Sequence, residues 1–212
     1  HCNARCVWCH NPDLQYPKGI ISQNLFEKII DDYSQYGGNV WFGTFGEPFM
    51  DKNILNKMHY VRKFGSIKEV TLLTNGLLLS LDKSRQLLDL NINVEISLDE
   101  IDKTQFESVK QIDFDRVIDN VIFLLEENKR TSCPVKIIIR MKTLQSEKEI
   151  NESSLYKRLK KLSSFIDLTP VVSSDSIANW AGSFNKKKFF GKYFPEMQPN
   201  GKYKNYNLQN KS

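Results

Sequence analysis

The chain has 212 residues, of which 40% are hydrophobic, and its formal net charge is +5 at pH 7. This length allows one sizeable core or at most two small domains. No apolar run approaches the length of a membrane span and no secretory signal is visible in the sequence. We therefore expect a protein that neither spans a membrane nor is secreted, and we expect it in the cytoplasm.

Hydrophobic periodicity predicts helices and strands in regular alternation along the chain. Phe26, Ile30 and Tyr33 recur at helical spacing, and the glycine pair at 37–38 is typical of a helix end. The predicted helices lie around residues 26–33, 54–61, 81–90, 117–125 and 155–162. The predicted strands cover residues 40–45, 70–73, 94–98, 135–139 and 168–172. This order predicts an α/β protein with a parallel sheet whose strands are connected by helices.

Polar residues follow four of the predicted strands at the point where each strand ends. Residues 46–48 (G-E-P) follow the first strand, and residues 74–76 (T-N-G) follow the second. Ser97 and Asp99 end the third strand, and Arg140 ends the fourth. Because ligands bind at the carboxyl ends of strands in parallel α/β folds, these residues predict one ligand-binding mouth. Taken singly, Gly-Glu-Pro and Asn-Gly are also common turns, and an arginine at a strand end is often simply solvated.

Three of the four cysteines, Cys2, Cys6 and Cys9, fall within eight residues. Such clustering in a chain without a secretory signal indicates metal or redox chemistry rather than a disulfide framework. Thiolates are the usual ligands of iron–sulfur clusters, and a four-iron cluster normally takes four of them. Three cysteines on one loop would leave one iron open to an exogenous ligand. Cys133 stands alone before a predicted strand, and we expect it to be a small core residue.

Other interpretations of these cysteines stay open at this point. Residues 6–10 (C-V-W-C-H) match the pattern of c-type haem attachment, and C-x-x-C alone matches a thioredoxin-like redox pair. A zinc site would need a fourth ligand, for which His1 or His10 is available. Haem attachment accounts neither for Cys2 nor for the α/β pattern.

Residues 2–9 (C-N-A-R-C-V-W-C) resemble the signature of the radical S-adenosylmethionine (SAM) superfamily, C-x3-C-x-aromatic-C, with Trp8 at the aromatic position. Later segments resemble further motifs of this family in the same order. Residues 43–48 (G-T-F-G-E-P) resemble its GGEP motif, with Phe45 in place of the first glycine of the pair. Residues 74–76 and 97–99 resemble its later strand-end segments. The resemblance covers nearly the whole chain.

This resemblance implies two cofactors, a [4Fe–4S] cluster and SAM, with the cluster on Cys2, Cys6 and Cys9. It implies reductive cleavage of SAM to a 5′-deoxyadenosyl radical, which abstracts a hydrogen atom from a peptide or sugar-like substrate. Trp8 would pack near the cluster and the adenine, and Arg140 would pair with the SAM carboxylate. The remaining residues would bind the SAM amino group or its ribose hydroxyls, or the substrate. They are Gly46, Glu47, Asn75, Ser97 and Asp99.

The resemblance also implies the fold, a partial (β/α)6 TIM-like barrel of parallel strands with outer helices. The chain starts one residue before its cysteine motif and has no initiator Met, so we expect a first strand to precede it. We assign residues 1–172 to the radical SAM core domain. We assign residues 173–212, which end in a polar segment, to a C-terminal extension or linker. It would lead to an auxiliary-cluster domain outside this sequence.

Two segments bear on the branch of the family. Residues 179–182 (N-W-A-G) resemble a segment that precedes the SPASM or twitch domain, and residues 9–12 (C-H-N-P) resemble glycyl-radical enzyme activases, our alternative. A second alternative, from another class, is a non-catalytic iron–sulfur or zinc module that binds nucleic acid through the lysine-rich residues 186–204. We expect a peptide or small-molecule substrate and an electron donor such as flavodoxin or ferredoxin, with neither a membrane nor nucleic acid as partner.

Overall fold

The computed structural model of the protein describes residues 1–9, 11, 17–143 and 145–170. Residues 169 and 170 are described by their backbone alone. The strands are β1 (Gly38–Phe42), β2 (Ile67–Thr74), β3 (Asn93–Ser97), β4 (Ile137–Thr143) and β5 (Phe165–Pro170). The α-helices are α1 (Gln23–Ser34), α2 (Ile54–Val61), α3 (Leu81–Asp89), α4 (Lys103–Lys110), α5 (Phe114–Arg130), α6 (Glu147–Glu152) and α7 (Ser154–Leu162). A short 3₁₀ helix covers Pro48–Met50.

The five strands form one sheet in which they follow each other in chain order, β1-β2-β3-β4-β5. Every neighbouring pair is parallel. Each connection between successive strands contains at least one helix. The predicted parallel α/β fold is therefore confirmed, and the sequential order is that of a partial (β/α) barrel. All carboxyl ends of the strands lie at one edge of the sheet.

Helix starts are set by side-chain caps. Six of the seven described α-helices begin behind a serine or aspartate whose side chain accepts a hydrogen bond from a backbone amide of the first turn. Periodicity alone misses α4 and α6, because α4 buries a lysine beside Phe106 and Val109 and α6 buries only Ile150. Their caps are nevertheless visible in the sequence, as Asp102 before α4 and as the capping box of Ser146 and Glu149 at α6.

The two faces of the sheet differ in polarity. Along β4 the side chains alternate between buried and partly exposed from Ile137 to Thr143. Ile139 is fully buried, whereas its neighbours Ile138 and Arg140 are partly exposed. The buried face belongs to the same hydrophobic core as the apolar stripe of α5. The other face carries charged side chains that a ligand can reach.

Three local predictions are wrong. β1 ends at Phe42, so residues 43–45 form a turn after the strand rather than part of it. β4 begins at Ile137 and continues to Thr143, so Arg140 lies inside the strand instead of at its end. The strand extends because β5 pairs with it from Ile138 to Thr143, which the sequence does not reveal. Cys133 is exposed in the turn after α5 and is not a core residue.

Several predictions lie outside the described residues. They concern His10 and Pro12 of the segment 9–12, residues 171–172 of the last predicted strand, and all of residues 173–212. The N-W-A-G segment and the lysine-rich region belong to this last group. Within the residues that the structure describes, no helix is both long and apolar enough to cross a membrane.

The two faces of β4 can be compared with one matched pair of substitutions. We expect Ile139→Ala to lower the free energy of unfolding by about 2–5 kcal/mol, because it removes a fully buried side chain and leaves a cavity. The adjacent Ile138→Ala should cost clearly less, since Ile138 is partly exposed. Urea unfolding followed by circular dichroism measures both. Equal losses would mean that the core lies on both faces of the strand.

Candidate active site

The three clustered cysteines lie on one short segment, residues 1–9, which we call the cysteine loop. Cys2, Cys6 and Cys9 are all free thiols of intermediate burial. The amide of Cys9 donates a hydrogen bond to the carbonyl of Cys6 at 2.9 Å, which forms a tight turn between these two residues. Ala4 is buried and anchors the first half of the loop in the core.

The cysteine loop is attached through its backbone to the end of α4. The amide of Val7 donates to the carbonyl of Val109 at 2.9 Å, and the amide of Arg5 donates to the carbonyl of Lys110 at 3.3 Å. The last carbonyls of a helix have no partner within the helix, so they are free to accept these bonds. The helix thereby fixes the height of the loop above the strand ends.

The environment of the thiols favours a bound cation. The amide of Ala4 lies 3.5 Å from the sulfur of Cys2, and the amide of Asn11 lies 3.4 Å from that of Cys9. Burial raises the pKa of Cys2 and raises that of Cys6 to about 11, and nearby anionic groups add to both increases. Thiolates in such a place need a cation beside them, which the irons of a cluster provide.

Asn3 and Asn75 connect the cysteine loop to the end of β2. The side-chain amide of Asn75 donates to the side-chain oxygen of Asn3 at 2.8 Å, and its own oxygen accepts from the amide of Leu77 at 3.1 Å. The Nδ2 atom of Asn3 is buried and has no hydrogen-bond partner. A buried donor beside three free thiols fits an acceptor that binds at this loop, such as the sulfur of a cluster.

Gly46 brings the turn after β1 against the N-terminal end of the cysteine loop. The amide of the next residue, Glu47, donates to the carbonyl of His1 at 2.8 Å. Gly46 has a φ of +98°, and a Cβ atom on it would lie 2.4 Å from the His1 carbonyl oxygen. Only glycine allows this close approach in this backbone conformation.

The Glu47 carboxylate joins the ends of two strands. It accepts hydrogen bonds from the hydroxyl of Thr74 at 2.7 Å and from the amide of Asn75 at 2.8 Å. It also accepts from the amide of Phe49 at 3.3 Å and so caps the 3₁₀ helix. Burial raises the pKa of Glu47, although these three bonds favour its charged form.

A cavity of about 310 Å³ opens at the ends of β3, β4 and β5. Four of the predicted site residues line it together: Trp8, Ser97, Asp99 and Arg140. The three other residues predicted to bind SAM do not line this cavity and contact the first residues of the cysteine loop instead; they are Gly46, Glu47 and Asn75. The first residues of the cysteine loop therefore contact one group of predicted SAM-binding residues, and Trp8 of the same loop belongs to the other. The role of each residue in binding remains a prediction.

Arg140 is held by two carboxylates that the sequence analysis did not select. Its Nε lies 2.6 Å from Glu95 of β3, and its Nη1 lies 2.5 Å from Asp167 of β5. The register places Ser97 opposite Arg140 and Arg140 opposite Asp167, so the three strands present these groups side by side. Arg140 and Asp167 are recognised as neighbours only when the pairing of β4 with β5 is known, so the sequence alone does not predict this contact.

Lys110 is a functional candidate that the sequence analysis missed. It ends α4 with its side chain only 2% exposed, and its ammonium lies 2.6 Å from the carboxylate of Asp99. The sequence does contain a signal for its burial. Lys110 follows Phe106 by four residues and therefore lies on the buried face of the helix. A lysine on such a face indicates a buried ion pair.

The sequence profile of the Radical SAM superfamily matches residues 1–153, well over half of the chain. The chain therefore belongs to the radical SAM superfamily. The members of this family are enzymes that use a [4Fe–4S] cluster and SAM, which are the two cofactors that the motifs predict. The haem, thioredoxin-like and non-catalytic interpretations of the cysteines do not agree with this membership.

Curated relatives share about a quarter of their residues with the chain. It is 28% identical over 176 residues to the GTP 3′,8-cyclase of Desulforamulus reducens. The match covers 80% of this chain and 53% of that enzyme. The chain is 28% identical over 141 residues to the GTP 3′,8-cyclase of Clostridium perfringens, which covers 64% of this chain and 42% of that protein. The chain thus spans about half the length of the curated relatives it matches.

Solved structures confirm the fold. The SuiB protein of Streptococcus suis bound to the precursor peptide SuiA superposes with a TM-score of 0.62 at 18% identity, covering 80% of this chain and 37% of SuiB. Native anSMEcpe with bound AdoMet superposes with a TM-score of 0.58 at 20% identity, covering 82% of this chain and 50% of that one. At such identities the likeness shows a shared parallel α/β architecture.

The turn at Gly46 can be tested through stability. We expect Gly46→Ala to lower the free energy of unfolding by about 1–3 kcal/mol, because the new side chain meets the His1 carbonyl in a backbone conformation that favours glycine. Gly65→Ala is the matched control, since nothing lies within 4 Å of its Cβ position. Thermal and urea unfolding measure both variants. A Gly46→Ala variant as stable as wild type would show that this turn is not held against the loop.

Proposed function

We propose that this protein binds a [4Fe–4S] cluster through Cys2, Cys6 and Cys9, binds SAM at the adjoining strand ends, and abstracts a hydrogen atom from an organic substrate. The observation that supports this most is that three free thiols lie on one loop, whose His1 contacts the Glu47 turn and whose Trp8 lines the 310 Å³ cavity. Among the described residues, no group of three or more His, Cys, Asp or Glu side chains is arranged to hold a metal ion. The ligand assignment is therefore based on the motif, the thiol environment and family membership.

When bound by these cysteines, the cluster would supply the chemistry of this site, which is reductive cleavage of SAM to a radical that takes the substrate hydrogen. The protein residues bind and orient the reactants. A carboxylate has about four acceptor positions, and Glu47 uses three of them on protein donors. One position remains for the ammonium group of SAM, in a charge-assisted hydrogen bond. In this arrangement Glu47 links SAM binding to the ends of two strands.

The cavity provides the other half of the SAM site. Trp8 of the cysteine loop forms an apolar wall of the cavity, suited to a flat adenine ring. Ser97 and Asp99 offer hydrogen bonds to ribose hydroxyls. A guanidinium has five donors, and Arg140 uses only its Nε and Nη1 on Glu95 and Asp167. We propose that its remaining donors bind the carboxylate of SAM.

The substrate and partners are proposed on branch grounds. A peptide or sugar-like substrate and an electron donor of the flavodoxin or ferredoxin type agree with the family. A second candidate substrate is a guanine nucleotide, which is favoured by the 28% identity to GTP 3′,8-cyclases over 176 residues. The SPASM or twitch branch, the domain division at residue 172 and the activase alternative remain predictions. Addition of GTP or of a peptide pool to the SAM cleavage assay distinguishes the substrate classes.

Cluster binding and SAM cleavage are tested together under anaerobic conditions. After reconstitution with iron and sulfide, we expect about four irons per chain, an EPR signal that SAM shifts, and formation of 5′-deoxyadenosine. Cys6→Ala should abolish the four-iron cluster, because it removes one of three ligands. Cys133→Ala is the matched control and should change nothing, since Cys133 is exposed and stands apart from the loop.

Two outcomes would contradict this proposal. A full four-iron cluster in Cys6→Ala would exclude Cys6 as a ligand. A wild-type cluster whose EPR signal ignores SAM, without any 5′-deoxyadenosine, would exclude SAM cleavage as the function of this site. Iron content, EPR and product analysis are measured on the same preparations, so loss of the cluster and loss of SAM binding are told apart.

The contribution of Glu47 is tested separately from the cluster. We expect Glu47→Gln to keep the iron content and to weaken SAM binding at least about tenfold, because a hydrogen bond to a charged group is worth roughly 1.5–3 kcal/mol. Glu69→Gln is the control, since Glu69 is exposed on β2. Calorimetric titration of the reconstituted protein with SAM measures both affinities. An unchanged affinity would remove Glu47 from the SAM site.

A further inference from the structure

Lys110 carries a positive charge that is enclosed by the protein. Its ammonium contacts the Asp99 carboxylate at 2.6 Å, the Ser97 carbonyl at 2.5 Å and the Ser97 hydroxyl at 2.8 Å. An ammonium group has three donors, so these three contacts use all of them. Together with an exposure of only 2%, this leaves Lys110 as a fixed charge rather than a group that binds a ligand directly.

Lys110 adjoins the cysteine loop through its backbone and through the residues that hold its ammonium. The carbonyl of Lys110 accepts the hydrogen bond of the Arg5 amide, in the middle of the loop. Ser97 and Asp99, the two residues that hold the ammonium, line the same cavity as Trp8 of the cysteine loop. Charges inside a protein are screened far less than charges at its surface, so an ammonium so placed acts strongly on whatever the loop binds.

We propose that Lys110 is a positioning residue whose buried charge raises the reduction potential of the cluster on the cysteine loop, and that Asp99 limits this effect. This inference rests on the proposed function, because it requires the cluster. When one electron passes from the electron donor to the cluster, the donor is oxidised, the cluster gains negative charge, and no bond or proton moves. A buried cation favours the more negative state, and local charge is one of the factors that set cluster potentials.

Asp99 is placed to oppose Lys110 in a defined way. It has a φ of +69°, and its carboxylate also accepts from the hydroxyl of Ser97 at 3.2 Å and from the amide of Lys142 at 3.3 Å. These contacts hold the carboxylate beside the ammonium. Loss of either charge should therefore move the potential, and the two losses should move it in opposite directions.

The experiment is an EPR-monitored redox titration of the reconstituted protein without SAM. We expect Lys110→Met to lower the equilibrium constant for one-electron reduction about tenfold, a shift of about 59 mV to more negative potential. Asp99→Asn, which keeps the shape of the side chain, should shift the potential to more positive values. Lys110→Arg keeps the charge and should stay close to wild type. Lys57→Met is the matched control, a lysine that is also 2% exposed and paired with Asp51.

The outcomes separate this inference from the proposed function. Iron and sulfide content are measured first, and a wild-type protein without a four-iron cluster would contradict the proposed function itself. If the wild-type cluster forms, equal potentials in Lys110→Met, Asp99→Asn and wild type overturn the role of Lys110. Shifts in the same direction for both variants also overturn it, since a purely structural disturbance has no reason to follow the sign of the charge. If Lys110→Met holds no cluster, a positive shift in Asp99→Asn supports the inference and an unchanged potential refutes it.

Discussion

The buried ion pair between Lys110 and Asp99 connects the three parts from which the candidate site is built. The ammonium comes from the end of α4, the carboxylate from the turn after β3, and the carbonyl of the same lysine binds the cysteine loop. Charges enclosed in this way are tolerated only when they are paired and hydrogen-bonded, and removal of one partner costs about 3–5 kcal/mol. The pair therefore fixes the position of the cysteine loop relative to the strand ends.

A second buried charge holds the opposite side of the loop. Glu47 has no cation in hydrogen-bond contact in the described part of the chain, and its charge is balanced by the donors of Thr74, Asn75 and Phe49. Its backbone amide binds the carbonyl of His1. The loop is thus positioned on both sides by polar contacts that are directional, whereas apolar packing alone would allow it to slide. This is the kind of support that a redox cofactor with one open coordination position requires.

Much of the fold follows from the sequence. Apolar strands that alternate with amphipathic stripes require parallel pairing, because the helices between them return the chain to the same end of the sheet. The position of the mouth follows in turn, and with it the clustering of Trp8, Ser97, Asp99 and Arg140 around one cavity. The limits of the elements do not follow so well. β4 extends to Thr143, beyond Arg140, because β5 pairs with it. The buried face of α4 includes Lys110, so it does not show as an apolar stripe in the sequence.

The sequence by itself determined the class of chemistry, because three cysteines at fixed spacing and four strand-end motifs in order are local features that one stretch of chain contains. It could not determine which charges meet. Lys110 reaches Asp99 from a different element, and Arg140 reaches Glu95 and Asp167 across two strand pairings. These contacts join residues that lie 11 to 45 positions apart along the chain, and the energy of each depends on its burial. Both the pairing and the burial arise only when the sheet and helices have packed, so the electrostatics of this site were decided by the tertiary structure.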